Sequence, residues 1–145
     1  MKTILFADDH RSIRDYCRRE LEDEGYRVVL ARDAAEAVEA VRRERPDAVI
    51  LDICMPQGGG LSAIEQIKQL APALPVVFFT ANDELCLSDR RSCLASACVE
   101  KAADLTELKH VVFRLLSSKG ETAAGRLGLP AGGATEEPRQ AMQGG

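Results

Sequence analysis

The sequence lacks several features that would place it in a particular class of protein. It has no cluster of five or more basic residues, and 23 acidic residues outnumber 19 basic ones to give a net charge of -4. Direct binding to nucleic acid or to an anionic membrane is therefore not expected. No apolar run approaches the ~18 residues of a membrane span, and the short run after Met1 ends in acid, unlike a signal peptide. These absences predict a cytoplasmic protein.

The cysteines are odd in number and irregularly placed. The five cysteines show no CxxC spacing and lie at Cys17, Cys54, Cys86, Cys93 and Cys98. An odd number without paired spacing favours free thiols in a reducing compartment over a disulfide framework or a zinc site.

The length of 145 residues, with 46% hydrophobic and 29% charged residues, suits one globular domain. After Leu116 the composition shifts to glycine, alanine and polar residues with prolines, which is typical of disorder. We therefore expect a domain over residues 1–118 and a disordered tail over residues 119–145. The tail is too short for a DNA-binding or catalytic module, so the first ~118 residues should carry the function.

Strand-like apolar runs alternate with amphipathic segments along the domain. The predicted strands are Thr3–Ala7, Arg27–Ala31, Ala48–Leu51, Val76–Phe79 and a weak fifth, Ala97–Val99. Between them apolar residues recur at helical spacing, with the poorest periodicity in the fourth helix, within Asp83–Leu94. This alternation predicts an α/β fold around a parallel sheet.

Capping signals flank the predicted helices. Asp33 with Glu36 and Asp104 with Glu107 have the spacing of a capping box, which marks a helix start. Gly25 follows the first helix, as a C-terminal cap should.

Four of the five strands are followed by residues that can carry chemistry. Asp8 and Asp9 follow the first strand, Asp52 the third, Thr80 the fourth and Lys101 the fifth. Ligands of an open parallel sheet bind beyond the carboxyl ends of its strands, so these side chains should converge. Crowded carboxylates require a cation, and oxygen ligands suit Mg²⁺. A carboxylate beside such a metal can attack a phosphoryl group, which suggests an aspartyl phosphate.

Around these residues the sequence resembles the CheY-like receiver domains of response regulators. The matching segments are ADDH (7–10), AVILDICMP (48–56) with Gly60 behind it, FFTA (78–81) and VEK (99–101). Separations of 43, 28 and 21 residues along the series Asp9, Asp52, Thr80 and Lys101 also suit such a domain. The resemblance covers about residues 2–118. It implies a doubly wound (βα)5 flavodoxin-like fold, with a five-stranded parallel sheet in the order 2-1-3-4-5.

The resemblance implies a phosphoacceptor and a metal site. Asp52 would accept a phosphoryl group from a sensor histidine kinase or a histidine phosphotransfer protein. Mg²⁺ would be held by Asp8, Asp9, Asp52 and the backbone carbonyl of Cys54.

Two further residues and one surface have implied roles. Thr80 would move to hydrogen-bond the phosphoryl group, and Lys101 would form an ion pair with it. The first turn of the first helix, near His10, Ile13 and Arg14, would belong to the docking face for the phosphoryl donor.

Some positions depart from the family or allow two interpretations. Cys98 stands where most receivers have the Tyr or Phe of an aromatic switch, so that part of the relay cannot operate. His10 beside the acid pair could serve a metal, although a solvent-facing helix residue is the favoured interpretation. Gly58 to Gly60 is interpreted as a flexible turn, because no P-loop lysine follows.

The predicted protein is a single-domain, stand-alone receiver that turns over no external substrate and is therefore not classed as an enzyme. Phosphorylation would change its binding to an unknown downstream protein. One alternative is a pseudo-receiver that binds a partner without phosphorylation. Another is an aspartate-nucleophile, Mg²⁺-dependent phosphatase of the haloacid dehalogenase type, although DxD is missing after the first strand. A flavin-binding protein of the same architecture lacks an obvious phosphate-binding loop here.

Overall fold

The computed structural model of the chain describes residues 1–56, 59–81, 88–102 and 104–124. The chain divides into two compact units, Met1–Val112 and Phe113–Gly145. Within the second unit the described residues are helical as far as Ala124, so helix continues past the expected domain boundary at residue 118. The remainder of the predicted disordered tail, residues 125–145, lies outside the described residues.

The first unit contains a five-stranded parallel sheet in the order β2-β1-β3-β4-β5. The strands are β1 (Thr3–Ala7), β2 (Arg27–Ala31), β3 (Ala48–Leu51), β4 (Val76–Thr80) and β5 (Ala97–Glu100). The predicted fold class and strand order are confirmed. The first three strands have the predicted bounds, and the last two each continue one residue further.

The burial of the strands explains why apolar runs predicted them well. Every residue of β3 and β4 is buried, as is every residue of β1 except Thr3, because these strands have neighbours on both sides and helices over the sheet. The edge strand β2 is buried only at Ala31. Central strands of a parallel sheet therefore read as continuous apolar sequence.

The helices are α1 (Arg11–Asp23), α2 (Ala34–Glu44), α3 (Gly59–Leu70) and α4 (Thr106–Ala124), with a short 3-10 helix, η1 (Arg90–Leu94), before β5. The fourth predicted helix, within Asp83–Leu94, falls partly on residues 83–87, outside the described residues. Its described end is η1, which is capped where the Asp89 carboxylate accepts a hydrogen bond from the backbone N–H of Arg91 at 2.8 Å.

The predicted capping residues occupy helix ends. Asp33 accepts a hydrogen bond from the N–H of Glu36 at 2.8 Å, and the Glu36 carboxylate in turn accepts from the N–H of Arg32 at 3.0 Å. Gly25 follows α1 with a φ of 96°, a left-handed conformation that favours glycine. The Asp104 carboxylate accepts from the N–H of Thr106, the first residue of α4.

The strand order positions the functional site. The chain leaves β1 toward one edge of the sheet to form β2, and then crosses back to form β3 on the other side of β1. A crevice opens at such a reversal, beyond the carboxyl ends of the two neighbouring strands. The residues that follow β1 and β3 therefore face the same crevice.

Candidate functional site

Asp8 and Asp52 lie side by side just past the ends of β1 and β3. Their backbone N–H groups continue the strand ladder, since Asp8 donates to the carbonyl of Ala31 at 3.0 Å and Asp52 donates to the carbonyl of Ala7 at 2.9 Å. Asp8 is fully buried and Asp52 is only 4% exposed. A buried carboxylate is costly unless it is paired, so the site needs compensating positive charge.

The ammonium group of Lys101 supplies part of that charge. Its Nζ atom lies 2.7 Å from Oδ2 of Asp8 and 3.2 Å from Oδ2 of Asp52. The backbone N–H of Lys101 donates to the carbonyl of Thr80 at 2.8 Å, which anchors the residue after β5. The Nζ atom also lies over the ring of Phe79, 6.0 Å from the ring centroid. The cation that the crowded carboxylates require is therefore provided in part by the chain itself.

The pKa values of Asp52 and Lys101 are both raised, but for different reasons. Desolvation, and then the charge of Asp8, raise the pKa of Asp52, against the opposing effects of Lys101 and the N–H of Cys54. Burial lowers the pKa of Lys101, but the hydrogen bond and charge of Asp8, together with Asp52, outweigh it and raise that pKa. Lys101 is thus held as a cation beside a carboxyl group whose charged form is disfavoured.

Asp9 and His10 form the open side of the site. Both residues are exposed, and Nδ1 of His10 lies 3.2 Å from Oδ1 of Asp8 and 3.1 Å from Oδ1 of Asp9. The backbone N–H of His10 also donates to Oδ1 of Asp8 at 2.8 Å. His10 is the N-cap residue of α1, so its ring stays near the acid pair even though it faces solvent.

The loop after β3 holds the Asp52 carboxylate through backbone contacts. The N–H of Cys54 donates to Oδ1 of Asp52 at 3.1 Å, and the N–H of Gly60 donates to the carbonyl of Ile53 at 2.8 Å. A Cβ atom on Gly60 would overlap the carbonyl oxygen of Asp52 and lie 2.9 Å from Cα of Ile53. The predicted flexible turn is therefore wrong for Gly59 and Gly60, which begin α3 in close contact with this loop, whereas Gly58 lies outside the described residues.

Thr80 ends β4 at the same edge of the sheet. It is buried, and its register partner in β5 is Glu100, the residue before Lys101. The predicted site residues Asp8, Asp9, Asp52 and Lys101 are joined through the contacts above, and Thr80 connects to them through its backbone bond to Lys101.

Arg14 helps to hold the acid pair in place, although the sequence predicted only a role in the docking face for it. Its Nη1 atom donates to the backbone carbonyl of Asp8 at 2.8 Å. The guanidinium therefore braces the backbone of the acid pair from the first turn of α1. Its place one helical turn after His10 was a signal that it could reach back toward the end of β1.

Cys98 differs from the sequence prediction of free thiols. Cys98 is disulfide-bonded, while Cys17, Cys54 and Cys93 are free. The prediction is wrong for Cys98 because the number and spacing of cysteines along the chain do not show which thiols meet in the folded protein. Cys54 presents an exposed side chain two residues after Asp52, and Cys17 is buried in α1.

The oxygen-rich part of the site fits a divalent cation. Asp8, Asp9, His10 and Asp52 each offer one ligand atom, and these atoms all lie within 4.8 Å of one another. Three carboxylates face one ammonium group, which leaves an excess of negative charge that a hard cation such as Mg²⁺ would balance.

No helix of the described residues combines the length and apolarity of a membrane span.

Three comparisons relate this architecture to known proteins. The family model of the response regulator receiver domain matches residues 4–113. Response regulator MprA of Mycobacterium leprae is 44% identical over 82 residues, which are 57% of this chain and 36% of that relative. The aligned region thus spans about a third of the length of the curated relatives.

Solved structures show the same likeness. Response regulator TrrA of Thermotoga maritima, crystallised with Mg²⁺-BeF, has a TM-score of 0.76 and 35% identity, covering 79% of this chain and 99% of TrrA. TrrA in complex with the histidine kinase ThkA gives a TM-score of 0.74 at 35% identity, covering 80% of this chain and 99% of TrrA.

Proposed function

Because this chain belongs to the response regulator receiver domain family of two-component signalling, we propose that it receives its signal as a phosphoryl group on Asp52. The observation that carries the proposal is the placement of Asp52, buried beside Asp8 and within 3.2 Å of the Lys101 ammonium. One wall of the site is cationic and the other is acidic. A carboxylate held this way can act as a nucleophile toward an electrophilic phosphorus.

The acid pair and Asp52 would hold Mg²⁺, with the backbone carbonyl of Cys54 as a further oxygen ligand. The fit rests on the excess negative charge and oxygen-rich donors of the cluster. Bound Mg²⁺ would supply positive charge against the phosphoryl oxygens and offset the repulsion among the carboxylates. The Mg²⁺-BeF complex of TrrA is consistent with this assignment.

In the proposed transfer, a carboxylate oxygen of Asp52 attacks the phosphorus of a phosphohistidine. The new O–P bond forms as the P–N bond breaks, and the electron pair leaves with the imidazole nitrogen of the donor. Lys101, already 3.2 Å from Oδ2 of Asp52, would pair with an oxygen of the transferred group. Thr80 would move to hydrogen-bond another phosphoryl oxygen, which links the modification to β4.

The proposed donor is a sensor histidine kinase or a histidine phosphotransfer protein. Its docking face would include the first turn of α1, near His10, Ile13 and Arg14. The kinase complex of TrrA supports a partner of this class. The protein would act as a signalling module that takes part in its own phosphorylation and slow dephosphorylation, and a downstream protein would read the phosphorylated state.

Incubation with Mg²⁺ and acetyl phosphate, followed by intact mass measurement, tests the proposal. The wild-type chain should gain one phosphoryl group, and Asp52→Asn should gain none. Asp15→Asn is a matched control, because Asp15 is a partly exposed carboxylate in α1 paired with Arg11 at 3.6 Å. It should be phosphorylated like the wild type.

The alternative functions give different outcomes in the same experiment. Absence of modification with every small-molecule donor and divalent cation would contradict the proposal and favour a pseudo-receiver. Steady release of phosphate from many unrelated phosphoesters would favour a phosphatase.

A further inference from the structure

We propose that His10 is a nitrogen ligand of the metal site formed with Asp8, Asp9 and Asp52, and that it biases this site toward first-row transition metals. The inference rests on the proposed function, since it concerns the same site. With His10 as a ligand, the metal would be bound by both nitrogen and oxygen atoms. Such a mixed set of ligand atoms prefers a different class of metal from carboxylates alone.

The spacing of the donor atoms matches adjacent positions around one ion. Nδ1 of His10 lies 3.2 Å from Oδ1 of Asp8 and 3.1 Å from Oδ1 of Asp9. Ligands ~2.1 Å from an octahedral ion lie ~3.0 Å apart when they are neighbours. At ~2.0 Å around a tetrahedral ion they lie ~3.3 Å apart. Nδ1 of His10 therefore stands from each carboxylate oxygen at the separation that a shared metal requires.

The two oxygens of Asp8 face different partners. Oδ2 is 2.7 Å from the ammonium of Lys101, and Oδ1 accepts the backbone N–H of His10 at 2.8 Å. The side of Asp8 away from the lysine is thus the side on which the His10 ring lies. Lys101 and His10 consequently do not compete for the same oxygen.

The backbone position of His10 is fixed by the start of α1. His10 caps the helix with extended backbone angles, φ -95° and ψ 116°, and its carbonyl accepts the N–H of Arg14 at 3.0 Å. The side chain is exposed, so an ion and its remaining water ligands have open access. Because the main chain is already placed, the ring needs little movement to join the carboxylates.

An imidazole ligand changes which metal the site favours. Mg²⁺ prefers oxygen ligands and retains water, whereas imidazole nitrogen suits later first-row transition metals such as Ni²⁺. The carboxylates alone would serve Mg²⁺. Addition of His10 should therefore strengthen the binding of Ni²⁺ much more than the binding of Mg²⁺.

Titration calorimetry with MgCl₂, MnCl₂ and NiCl₂ on the full chain tests this selectivity. His10→Ala should weaken Ni²⁺ binding by about tenfold or more and change Mg²⁺ binding by less than about threefold. The control is His110→Ala, which removes the other of the two histidines, an exposed residue of α4, and should leave all three affinities unchanged. Repetition in a Cys54→Ser background removes the exposed thiol as a competing ligand.

Direct coordination has its own spectroscopic signature. Pulsed electron paramagnetic resonance of bound Mn²⁺ should show modulation from a coordinated imidazole nitrogen in the wild type and in His110→Ala, and should lose it in His10→Ala. Equal Ni²⁺ affinities in wild type and His10→Ala, or Mn²⁺ bound without nitrogen modulation in the wild type, would overturn the inference.

The inference and the proposed function can fail separately. Phosphorylation of Asp52 with Mg²⁺ and no nitrogen signal would refute the role of His10 alone. A nitrogen signal in a chain that never accepts a phosphoryl group would refute the phosphoacceptor role alone.

Discussion

Lys101 lies closer to Asp8 than to Asp52, with Nζ 2.7 Å from the Asp8 carboxylate and 3.2 Å from that of Asp52. Asp8 has no exposed surface, so this ammonium is its principal counter-charge within the described contacts. Asp52 shares the same cation at longer range and keeps a raised pKa. A phosphoryl group on Asp52 would compete with Asp8 for Lys101, which couples the modification to the acid pair.

Asp52→Asn should stabilise the metal-free protein by about 0.5–2 kcal/mol at pH 7, because it removes a buried carboxylate charge at a functional site. Because the pKa of Asp52 is raised in the folded protein, ionisation of this carboxyl lowers the free energy of unfolding of the wild type. The full stability is present below the unfolded pKa, where the carboxyl is neutral, and is lost as pH rises through the folded pKa. The gain should therefore shrink as pH falls toward about 4 and be absent below it. Urea unfolding of both chains across this pH range measures it, and a less stable variant at pH 7 would contradict the argument.

Lys101→Met should destabilise the protein by about 3–5 kcal/mol, because it leaves the buried Asp8 carboxylate without its closest cation. Combining it with Asp8→Asn should recover part of the loss in a double-mutant cycle. Lys109→Met is the matched control. Lys109 pairs at the surface with Glu20 of α1 and with Glu24 just after it, so its loss should leave the stability close to that of the wild type. Similar losses in the two lysine variants would argue against the buried pair.

Gly60→Ala should destabilise the protein by about 1–3 kcal/mol, since the added Cβ would overlap the backbone of Asp52 and Ile53. Phosphorylation of Asp52 by acetyl phosphate should slow as well, because the loop that carries the acceptor must shift. The control is Ser62→Ala, on the same helix. A Gly60→Ala protein with wild-type stability would show that the loop yields freely, contrary to the contacts described.

Cys17 should resist alkylation in the folded protein while Cys54 and Cys93 react. Burial, and then the charge of Asp8, raise the pKa of the Cys17 thiol from an ordinary 9.0 to about 12. Because the pKa of Cys17 is higher in the folded than in the unfolded protein, its contribution to the free energy of unfolding is fully present below the unfolded pKa. That contribution is lost as pH rises through the folded pKa. Stability should fall between about pH 9 and 12 more steeply in the wild type than in Cys17→Ala. Mass mapping of labelled peptides and alkaline urea titrations measure the two effects, and rapid native labelling of Cys17 would contradict them.

The sheet could be predicted because its central strands are buried on both faces. β1 and β3 have the bounds expected from their apolar runs, and β4 differs only by inclusion of Thr80, whose hydroxyl gives no apolar signal. The convergence of Asp8, Asp52 and Lys101 followed from the rule that parallel strands end at one edge.

What the sequence did not predict depends on contacts between distant segments. No local pattern shows that Lys101 lies nearer to Asp8 than to Asp52, since that depends on the path of the chain after β5. The close contact of Gly60 with the carbonyl of Asp52 likewise requires α3 to return against the loop after β3. The disulfide bond of Cys98 is likewise not indicated by the spacing of the cysteines along the chain.

The contact between Gly60 and Asp52 also limits where a conformational change can begin. The space between α3 and the backbone of Asp52 does not admit even one added methyl group, so the two have little freedom to move toward each other. A displacement at Asp52 would therefore be taken up on the opposite wall of the site, at Thr80 and Lys101, and a signal that begins at Asp52 would spread in that direction.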